Sequence, residues 1–314
     1  MTYPFNIYTP DYLPPLHESM SILDSTKLGD FRRCPRYGFF RHVQGWNSAE
    51  PNVDLIFGQA WHIAMEFIFQ HGLGDFDNYK IAYLLGMEEI LKHFTVEQDA
   101  ENYPKSTKGL YNGLLSFFDQ RGEWANCSFI DSEISGDLIL EEGKALRFKV
   151  DLILFDPKMN SLVVVDHKTS KSSSYIYREL FQNSFQMKCY LYAAKSYFGG
   201  NEVKGLFINR SEFLKNSVTH RKLIYMPSDE TLQLWNVTAL IEFNRILHEI
   251  QQYATYDHPD NSIMLSFPQC DSGCAKYNRL CEYFNICTLL PNPLKLKETP
   301  EGFIQRFWSP GEED

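Results

Sequence analysis

The segment of residues 147–170 constrains the fold more than any other part of the chain, because its pattern predicts a β-hairpin with charged residues inside its strands. Apolar side chains alternate along the first strand, and this alternation puts Asp151 in the middle of that strand. Residues 156–160 are typical of a turn, and a β-branched run then leads to Asp166 and Lys168. These two residues are two apart, so they lie on the same face of the second strand.

The two aspartates of this hairpin are costly to bury unless a cation or hydrogen-bond donors compensate their charge. Pairing of the strands can bring Asp151 close to Asp166, and two such carboxylates are typical ligands of Mg²⁺ or Mn²⁺. An ammonium group beside them, from Lys168, suits a centre that cleaves phosphate esters. The alternative is an ordinary structural hairpin in which the Asp-x-Lys triplet occurs by chance.

Composition limits the class of protein. At 314 residues, with 44% hydrophobic and 15% aromatic residues, the chain is sufficient for one large domain or two small ones. A formal net charge of −10 argues against a nonspecific nucleic-acid binder, so such contact must depend on local patches and bound cations. The sequence has neither a signal-peptide pattern nor an apolar run of about 20 residues. We therefore expect a soluble, cytoplasmic protein without membrane contact.

Upstream of the hairpin, residues 55–70 predict an apolar helix with a polar line at a spacing of four, formed by Gly58, His62 and Glu66. A single histidine on an apolar helix is usually a core residue, and only the hairpin makes His62 a candidate metal ligand. The other predicted elements are helices at 79–95, 107–120, 175–198 and 228–254, a strand with Glu133, and strands at 203–209 and 220–226.

The N-terminal region combines prolines, arginines and aromatic residues. Residues 1–20 contain four prolines and predict an extended arm. Ser25 is then the predicted cap of a short helix that ends before Pro35. The arginines that follow have no acidic residue among them, which predicts either a positive patch for phosphate contact or a solvated helix face. They are Arg32, Arg33, Arg36 and Arg41.

Four of the seven cysteines lie close together near the C-terminus, which indicates a metal site in a reducing compartment. These are Cys270, Cys274, Cys281 and Cys287. Their spacing differs from the paired C-x-x-C motifs of common zinc ribbons. Two arrangements are open: the four cysteines form a closed local site, or one of them is replaced by Cys34.

The order of these features resembles the RecB-like branch of the PD-(D/E)XK nucleases. More narrowly, it is similar to the iron–sulfur exonucleases of that branch, which include proteins of CRISPR adaptation and phage and eukaryotic relatives. The resemblance extends over residues 31–287. It is carried by F-x-x-C-P at 31–35, Gly58 with His62, Asp151, Asp166 with Lys168, Gln186 with Tyr190, and Cys274, Cys281 and Cys287.

The resemblance implies a catalytic metal ion held by His62, Asp151, Asp166 and the backbone carbonyl of His167. A nitrogen ligand favours Mn²⁺ over Mg²⁺. Asp151, Asp166 and Lys168 are then the catalytic residues, and Lys168 orients the attacking water or neutralises developing charge. The residues implied to contact DNA are Gln186, Tyr190, Arg33 and Arg36.

The resemblance also implies a [4Fe-4S] cluster bound by Cys34, Cys274, Cys281 and Cys287, which leaves Cys270 out. Such a cluster would close a loop of about 240 residues and remove roughly 5 kcal/mol of unfolded-chain entropy. We interpret it as a structural element that ties the N-terminal helix to the C-terminal one.

The implied fold is an α/β, restriction-endonuclease-like core with a mixed central sheet flanked by helices. We expect a single nuclease domain over residues 1–314, divided into an arm (1–50), a helical segment (51–125), the nuclease core (126–226) and a C-terminal segment (227–314). The expected activity is metal-dependent DNA hydrolysis, exonucleolytic on single strands or ends, with 5′-to-3′ polarity from the resemblance alone. The alternatives are a non-catalytic DNA-binding or recombination scaffold and a Cys₄ zinc protein. The oligomeric state and protein partners stay open.

Overall fold

Helices and strands follow one another as in a mixed α/β protein. A computed structural model describes residues 16–172, 174, 179–200, 202–254, 266–276, 279–289, 296 and 298–307. The α-helices of this part are α1 (Ser25–Arg33), α2 (Pro35–Gly38), α3 (Val53–His71), α4 (Phe76–Leu91), α5 (Val96–Glu101), α6 (Thr107–Gln120), α7 (Phe185–Phe198), α8 (Asp229–Ala254) and α9 (Phe284–Leu289). The strands are β1 (Leu23–Asp24), β2 (Trp46–Ser48), β3 (Ser128–Glu141), β4 (Lys144–Asp156), β5 (Ser161–Ser170), β6 (Val203–Phe213), β7 (Val218–Tyr225), β8 (Ala275–Lys276), β9 (Arg279–Leu280) and β10 (Phe303–Gln305).

The chain divides into two compact units, each made of separate segments. The first contains residues 1–50, 136–148 and 233–314, and the second contains residues 51–135 and 149–232. Most of the arm predicted for residues 1–20 lies outside the described residues, as do the tail from residue 308 and residues 175–178 of a predicted helix.

The predicted hairpin forms the middle of the sheet. Strands β4 and β5 pair antiparallel, and Leu152 lies opposite Val165. Strand β6 then pairs parallel with β5, and β7 pairs antiparallel with β6. The order β4-β5-β6-β7 therefore gives a mixed sheet flanked by helices, which confirms the predicted α/β class. Burial alternates along most of β4, as the sequence predicts.

Helix α3 is apolar on most of its surface because it packs on both sides within the second unit. Trp61 meets Phe213 of β6 edge to face, with ring centroids 5.1 Å apart. Against α4, a Cβ at Gly86 would lie 2.8 Å from the carbonyl oxygen of Ala60, so close helix packing requires glycine there. None of the helices in the described ranges has the length and apolarity needed to cross a membrane.

One helix cap differs from the prediction. The cap of α1 is Asp24 rather than Ser25, because the Asp24 carboxylate accepts hydrogen bonds from the backbone N–H groups of Thr26 and Lys27. Within the described part of the helix predicted for residues 175–198, α7 begins at Phe185, where the hydroxyl of Ser184 accepts the Met187 N–H and caps the helix.

Candidate active site

The register of the hairpin brings its two aspartates together. Leu152 pairs with Val165, so the next position along each strand sets Asp151 beside Asp166. Oδ2 of Asp151 accepts a hydrogen bond of 2.9 Å from the backbone N–H of His167. The backbone of β5 thus fixes the orientation of a carboxylate that comes from β4.

Asp166 is 1% exposed and has two oxygens in different environments. Oδ1 accepts a hydrogen bond of 2.7 Å from Nζ of Lys168, whereas the buried Oδ2 has no hydrogen-bond partner among the residues that the structure describes. Burial raises the pKa of Asp166 to about 6, against the opposing effect of Lys168. An unpaired carboxylate oxygen at this depth is a strong acceptor site for a cation.

The ammonium of Lys168 stays charged inside this site. Burial by itself lowers the pKa of Lys168, but the charges of Asp166 and Asp151 outweigh it and raise the pKa above its ordinary value. For Asp151, burial is the opposing influence, and the nearby His62 and Lys168 lower its pKa. The positive charge of Lys168 therefore lies close to the carboxyl groups of Asp151 and Asp166.

His62 of α3 points at both strands of the hairpin. Its Nδ1 lies 3.4 Å from Oδ2 of Asp151, and its Nε2 lies 2.6 Å from the backbone oxygen of His167. Because a carbonyl oxygen only accepts hydrogen bonds, Nε2 carries the proton in this contact. The helix line predicted from Gly58, His62 and Glu66 thus faces the hairpin.

The donor set fits a divalent metal ion. It combines carboxylate oxygens of Asp151 and Asp166, the carbonyl oxygen of His167 and one imidazole nitrogen, and the unpaired oxygen of Asp166 is the atom that such an ion would satisfy. In the described part of the chain, no three His, Cys, Asp or Glu side chains are already arranged to hold a metal ion. The side chains of His62 and Asp151 instead contact each other as a pair.

Gln186 and Tyr190 lie one turn apart on α7, as predicted. Nε2 of Gln186 donates a hydrogen bond of 2.8 Å to the hydroxyl oxygen of Tyr190. Burial raises the pKa of Tyr190 well above its ordinary value, and the charges of Asp166 and Asp151 raise it further. The Tyr190 hydroxyl therefore lies within the electrostatic influence of the two carboxylates.

The structure adds residues that the sequence did not reveal. Asn209 on β6 is fully buried, and its Nδ2 lies 3.0 Å from Nδ1 of His167, so it fixes the residue between Asp166 and Lys168. A polar residue directly after the apolar run Leu206–Ile208 of β6 is the signal that sequence reasoning missed. Lys149 lies two residues before Asp151, on the same face of β4. It forms an ion pair with Glu133.

The cysteines lie in the first unit. The backbone N–H of Cys270 lies 3.4 Å from Sγ of Cys34. Burial raises the pKa values of Cys281 and Cys287, and the nearby Cys34 adds to both shifts. Cys274 also raises the pKa of Cys287. The thiol of Cys270 instead lies 3.0 Å from the hydroxyl of Ser272.

The arginines do not form the open positive patch that the sequence suggested. Arg33 donates to the carbonyl oxygen of Gly273, and buried Arg36 lies with Nη1 3.6 Å from Sγ of Cys287. Both guanidinium groups therefore support the cysteine segment, and the contact of Arg33 and Arg36 with DNA stays a prediction. Arg32 and Arg41 are paired with acids that come from other parts of the chain, Glu242 and Glu282.

A surface cavity is separate from this site. It lies on α4 and α6 and is mainly apolar, with an aromatic lining. The lining residues are Phe76, Tyr79, Lys80, Tyr83, Leu84, Tyr111, Leu114 and Leu115, which include none of the predicted site residues.

A mixed sheet whose central hairpin carries one aspartate and an Asp-x-Lys triplet has the arrangement of a nuclease core. The chain matches the family model of the PD-(D/E)XK nuclease superfamily over residues 25–288, and it belongs to that superfamily. This confirms the resemblance at the level of the superfamily, whereas its iron–sulfur branch stays a prediction. Nucleases of this superfamily typically use divalent metal ions such as Mg²⁺.

The fold was also compared with solved structures. The crystal structure of a protein from Eubacterium rectale, described as a "putative exonuclease", is 16% identical, with a TM-score of 0.47 over 83% of this chain and 89% of that one. The structure of SSO0001 is 13% identical, with a TM-score of 0.24 over 52% of this chain and 85% of that one. No curated protein matches the sequence significantly.

Proposed function

We propose that this protein is a metal-dependent exonuclease that hydrolyses phosphodiester bonds in single-stranded DNA or at DNA ends. The observation that carries the proposal is the pairing of Asp166 with Lys168 inside the hairpin. One carboxylate oxygen there is bound by the ammonium, while the other is buried without a partner among the described residues. A metal ion and a substrate phosphate would satisfy these groups together.

The metal ligands proposed are His62, Asp151, Asp166 and the carbonyl oxygen of His167. The ion, Mg²⁺ or Mn²⁺, supplies charge that polarises the scissile phosphate and makes water a better nucleophile. The hydrogen bond from the His167 N–H orients the Asp151 carboxylate in advance. Little side-chain rearrangement of Asp151 is therefore needed, whereas His62 must release the carbonyl oxygen that it contacts.

Lys168 supplies a positive charge from the protein itself, in addition to the charge of the metal ion. Its Nζ lies beside Asp166 and carries further donor hydrogens, which can orient the attacking water or stabilise the negative charge that develops on the phosphate. We assign Tyr190 and Gln186 to positioning, because their hydrogen bond holds the Tyr190 hydroxyl in place while the charges of Asp166 and Asp151 act on it. In this proposal they hold the DNA strand against Lys168.

The charge of the chain favours a single strand over a long duplex. With a formal net charge of −10, the protein has no overall field that would hold many phosphates. The positive groups near the hairpin are few and local, so a strand that passes one localised site suits them. The arginines near Cys34 support the cysteine segment, and their contact with DNA stays a prediction.

For the cysteines we propose a structural [4Fe-4S] cluster on Cys34, Cys274, Cys281 and Cys287. The influence of Cys34 on the pKa values of Cys281 and Cys287, and of Cys274 on that of Cys287, supports this set. The zinc alternative needs the thiol of Cys270, which contacts Ser272 instead. The cluster would stabilise the first unit and leave the chemistry to the second.

Linear and circular single-stranded DNA of the same sequence test the exonuclease directly. Purified protein with Mn²⁺ should degrade the linear strand to short products and leave the circle intact. Degradation of both at equal rates would instead identify an endonuclease. Failure to degrade either by a folded protein would favour the non-catalytic DNA-binding scaffold.

A further inference from the structure

A second positively charged site lies beside the proposed catalytic centre. Lys105 precedes α6, and its side chain is only 4% exposed. Its Nζ lies 3.2 Å from Oδ1 of Asp54 and donates a hydrogen bond of 3.2 Å to Oγ1 of Thr169. Thr169 directly follows Lys168 on β5, so the buried ammonium lies next to the proposed catalytic strand, on the face opposite to the side chains of Asp166 and Lys168.

A second lysine shares the same carboxylate. Nζ of Lys171 also lies 3.2 Å from Oδ1 of Asp54, and the Lys171 side chain is 42% exposed. Two ammonium groups on one carboxylate leave a net positive charge, and burial makes that charge more effective toward an anion. Burial and the charge of Lys171 lower the pKa of Lys105, whereas the charge of Asp54 raises it.

Helix α3 determines the distance between this site and the proposed catalytic centre. Asp54, Gly58 and His62 are spaced by four along α3, so they lie in one line on its surface. Asp54 holds the two lysines, and His62 contacts the hairpin. A helix rises 1.5 Å per residue, which separates these two positions by about 12 Å. Between them a Cβ at Gly58 would meet only Oγ1 of Thr169, at 3.9 Å, so the surface there is open.

We propose that Lys105, Lys171 and Thr169 form a subsite for a terminal phosphate of the DNA strand whose scissile phosphate lies at Asp166 and Lys168. A terminal phosphomonoester carries more negative charge than an internal phosphodiester, and two ammonium groups with one hydroxyl match its several oxygens. The subsite would hold the end of the strand at a fixed distance from the point of cleavage. The inference rests on the proposed function, because it assigns the end that the exonuclease engages.

The test measures binding, so it does not depend on cleavage. Full-length protein with the Asp166→Ala substitution is titrated, by fluorescence anisotropy, with identical single-stranded oligonucleotides that carry a 5′-phosphate, a 3′-phosphate or two hydroxyl ends. We expect one of the phosphorylated ends to bind about tenfold more tightly than the hydroxyl end, as two charge-assisted hydrogen bonds imply. The end that gains affinity identifies the polarity of the bound strand.

Substitutions then assign the effect to the two lysines. Lys171→Ala changes an exposed side chain and should reduce the preference for the phosphorylated end to about twofold or less, while Lys105→Met should abolish it. Lys80→Ala is the matched control, since Lys80 is a 62% exposed lysine paired with Asp77 on α4. It should retain the full preference.

The outcomes separate this inference from the nuclease proposal. A parent protein with no end preference, or a Lys171→Ala variant with the preference of the parent, would overturn the subsite even if the protein cleaves DNA. Conversely, an end preference that Lys171→Ala removes supports the subsite even where no cleavage is detected. Because Lys171 is exposed, loss of folding in the Lys105 variant leaves the test intact.

Discussion

His62 and His167 are 105 residues apart in the sequence, and Nε2 of the first lies 2.6 Å from the backbone oxygen of the second. The contact joins α3 to the strand that carries Asp166 and Lys168. The His62 imidazole and the His167 carbonyl oxygen are both in the proposed ligand set, and the proton on Nε2 occupies the electron pair of that nitrogen. If Nε2 is the nitrogen that holds the ion, His62 would have to give up this proton and this hydrogen bond.

Replacing His62 with alanine should change the metal preference of the enzyme. The imidazole is the only nitrogen in the proposed ligand set, and nitrogen ligands favour Mn²⁺ over Mg²⁺. We expect the Mn²⁺-supported rate to fall by about 10- to 100-fold and the ratio of Mn²⁺ to Mg²⁺ rates to fall with it. Cleavage of labelled single-stranded DNA measures both. His71 is an exposed histidine on the same helix, and His71→Ala is the control that should keep the parent ratio of Mn²⁺ to Mg²⁺ rates. An unchanged ratio in His62→Ala would remove His62 from the ligand set.

Removing the ammonium of Lys168 should abolish cleavage and preserve the fold. Lys168→Ala takes away a charge and no core volume, and because Lys168 lowers the pKa of Asp166, its removal makes it easier for a proton to neutralise that buried carboxylate. The rate should fall at least about 100-fold, as for other groups that stabilise developing charge. End-labelled DNA gives the rate, and circular dichroism reports folding. A Lys168→Ala protein that cuts at the parent rate would refute its catalytic role.

The pKa of Asp166 predicts a pH-dependent stability. This pKa is about 6 in the folded protein against 3.8 for an ordinary aspartate, so between these values the folded state retains a proton that the unfolded state has lost. The free energy of unfolding therefore falls as the pH rises through this window. In metal-free protein, the parent should lose about 2 kcal/mol relative to Asp166→Asn between pH 4.5 and 7. Urea unfolding measures this difference, and parallel pH curves for the two proteins would contradict the raised pKa.

Two cysteine variants distinguish the proposed cluster from a zinc site. Cys281→Ala removes a proposed ligand, so anaerobically purified protein should lose its brown absorbance and its iron and should unfold at a lower temperature. Cys270→Ala is the matched control and should remain brown, because the Cys270 thiol contacts Ser272. A colourless parent that contains zinc, and that loses zinc when Cys270 is replaced, would instead establish the Cys₄ zinc protein.

The sequence predicted the hairpin well because its signals are local. Alternation along β4 and the turn at residues 156–160 require only neighbouring residues, and the structure pairs Leu152 with Val165 as expected. The polar line of α3 was visible for the same reason, since residues four apart in a helix share a face. The pairing of Gln186 with Tyr190 on α7 follows the same rule.

What the sequence did not reveal depends on contacts between distant segments. The sequence did not show that Arg32 and Arg41 are paired with Glu242 and Glu282, because these acids lie far along the chain. Lys105 carried no signal, since its burial and its contact with Thr169 exist only after α3, α6 and β5 have packed. The contact of Asn209 with His167 likewise requires the parallel register of β5 and β6.

The most direct test of the nuclease is cleavage of end-labelled single-stranded DNA by anaerobically purified protein with Mn²⁺, Mg²⁺ or EDTA, beside the Asp166→Ala variant. Asp166 is the carboxylate that unites the proposed metal site with Lys168. We predict shortening of the strand with either metal, none with EDTA and none with Asp166→Ala. Equal cleavage by the parent and the variant, or metal-independent cleavage, would contradict the assignment of the hairpin as the catalytic centre.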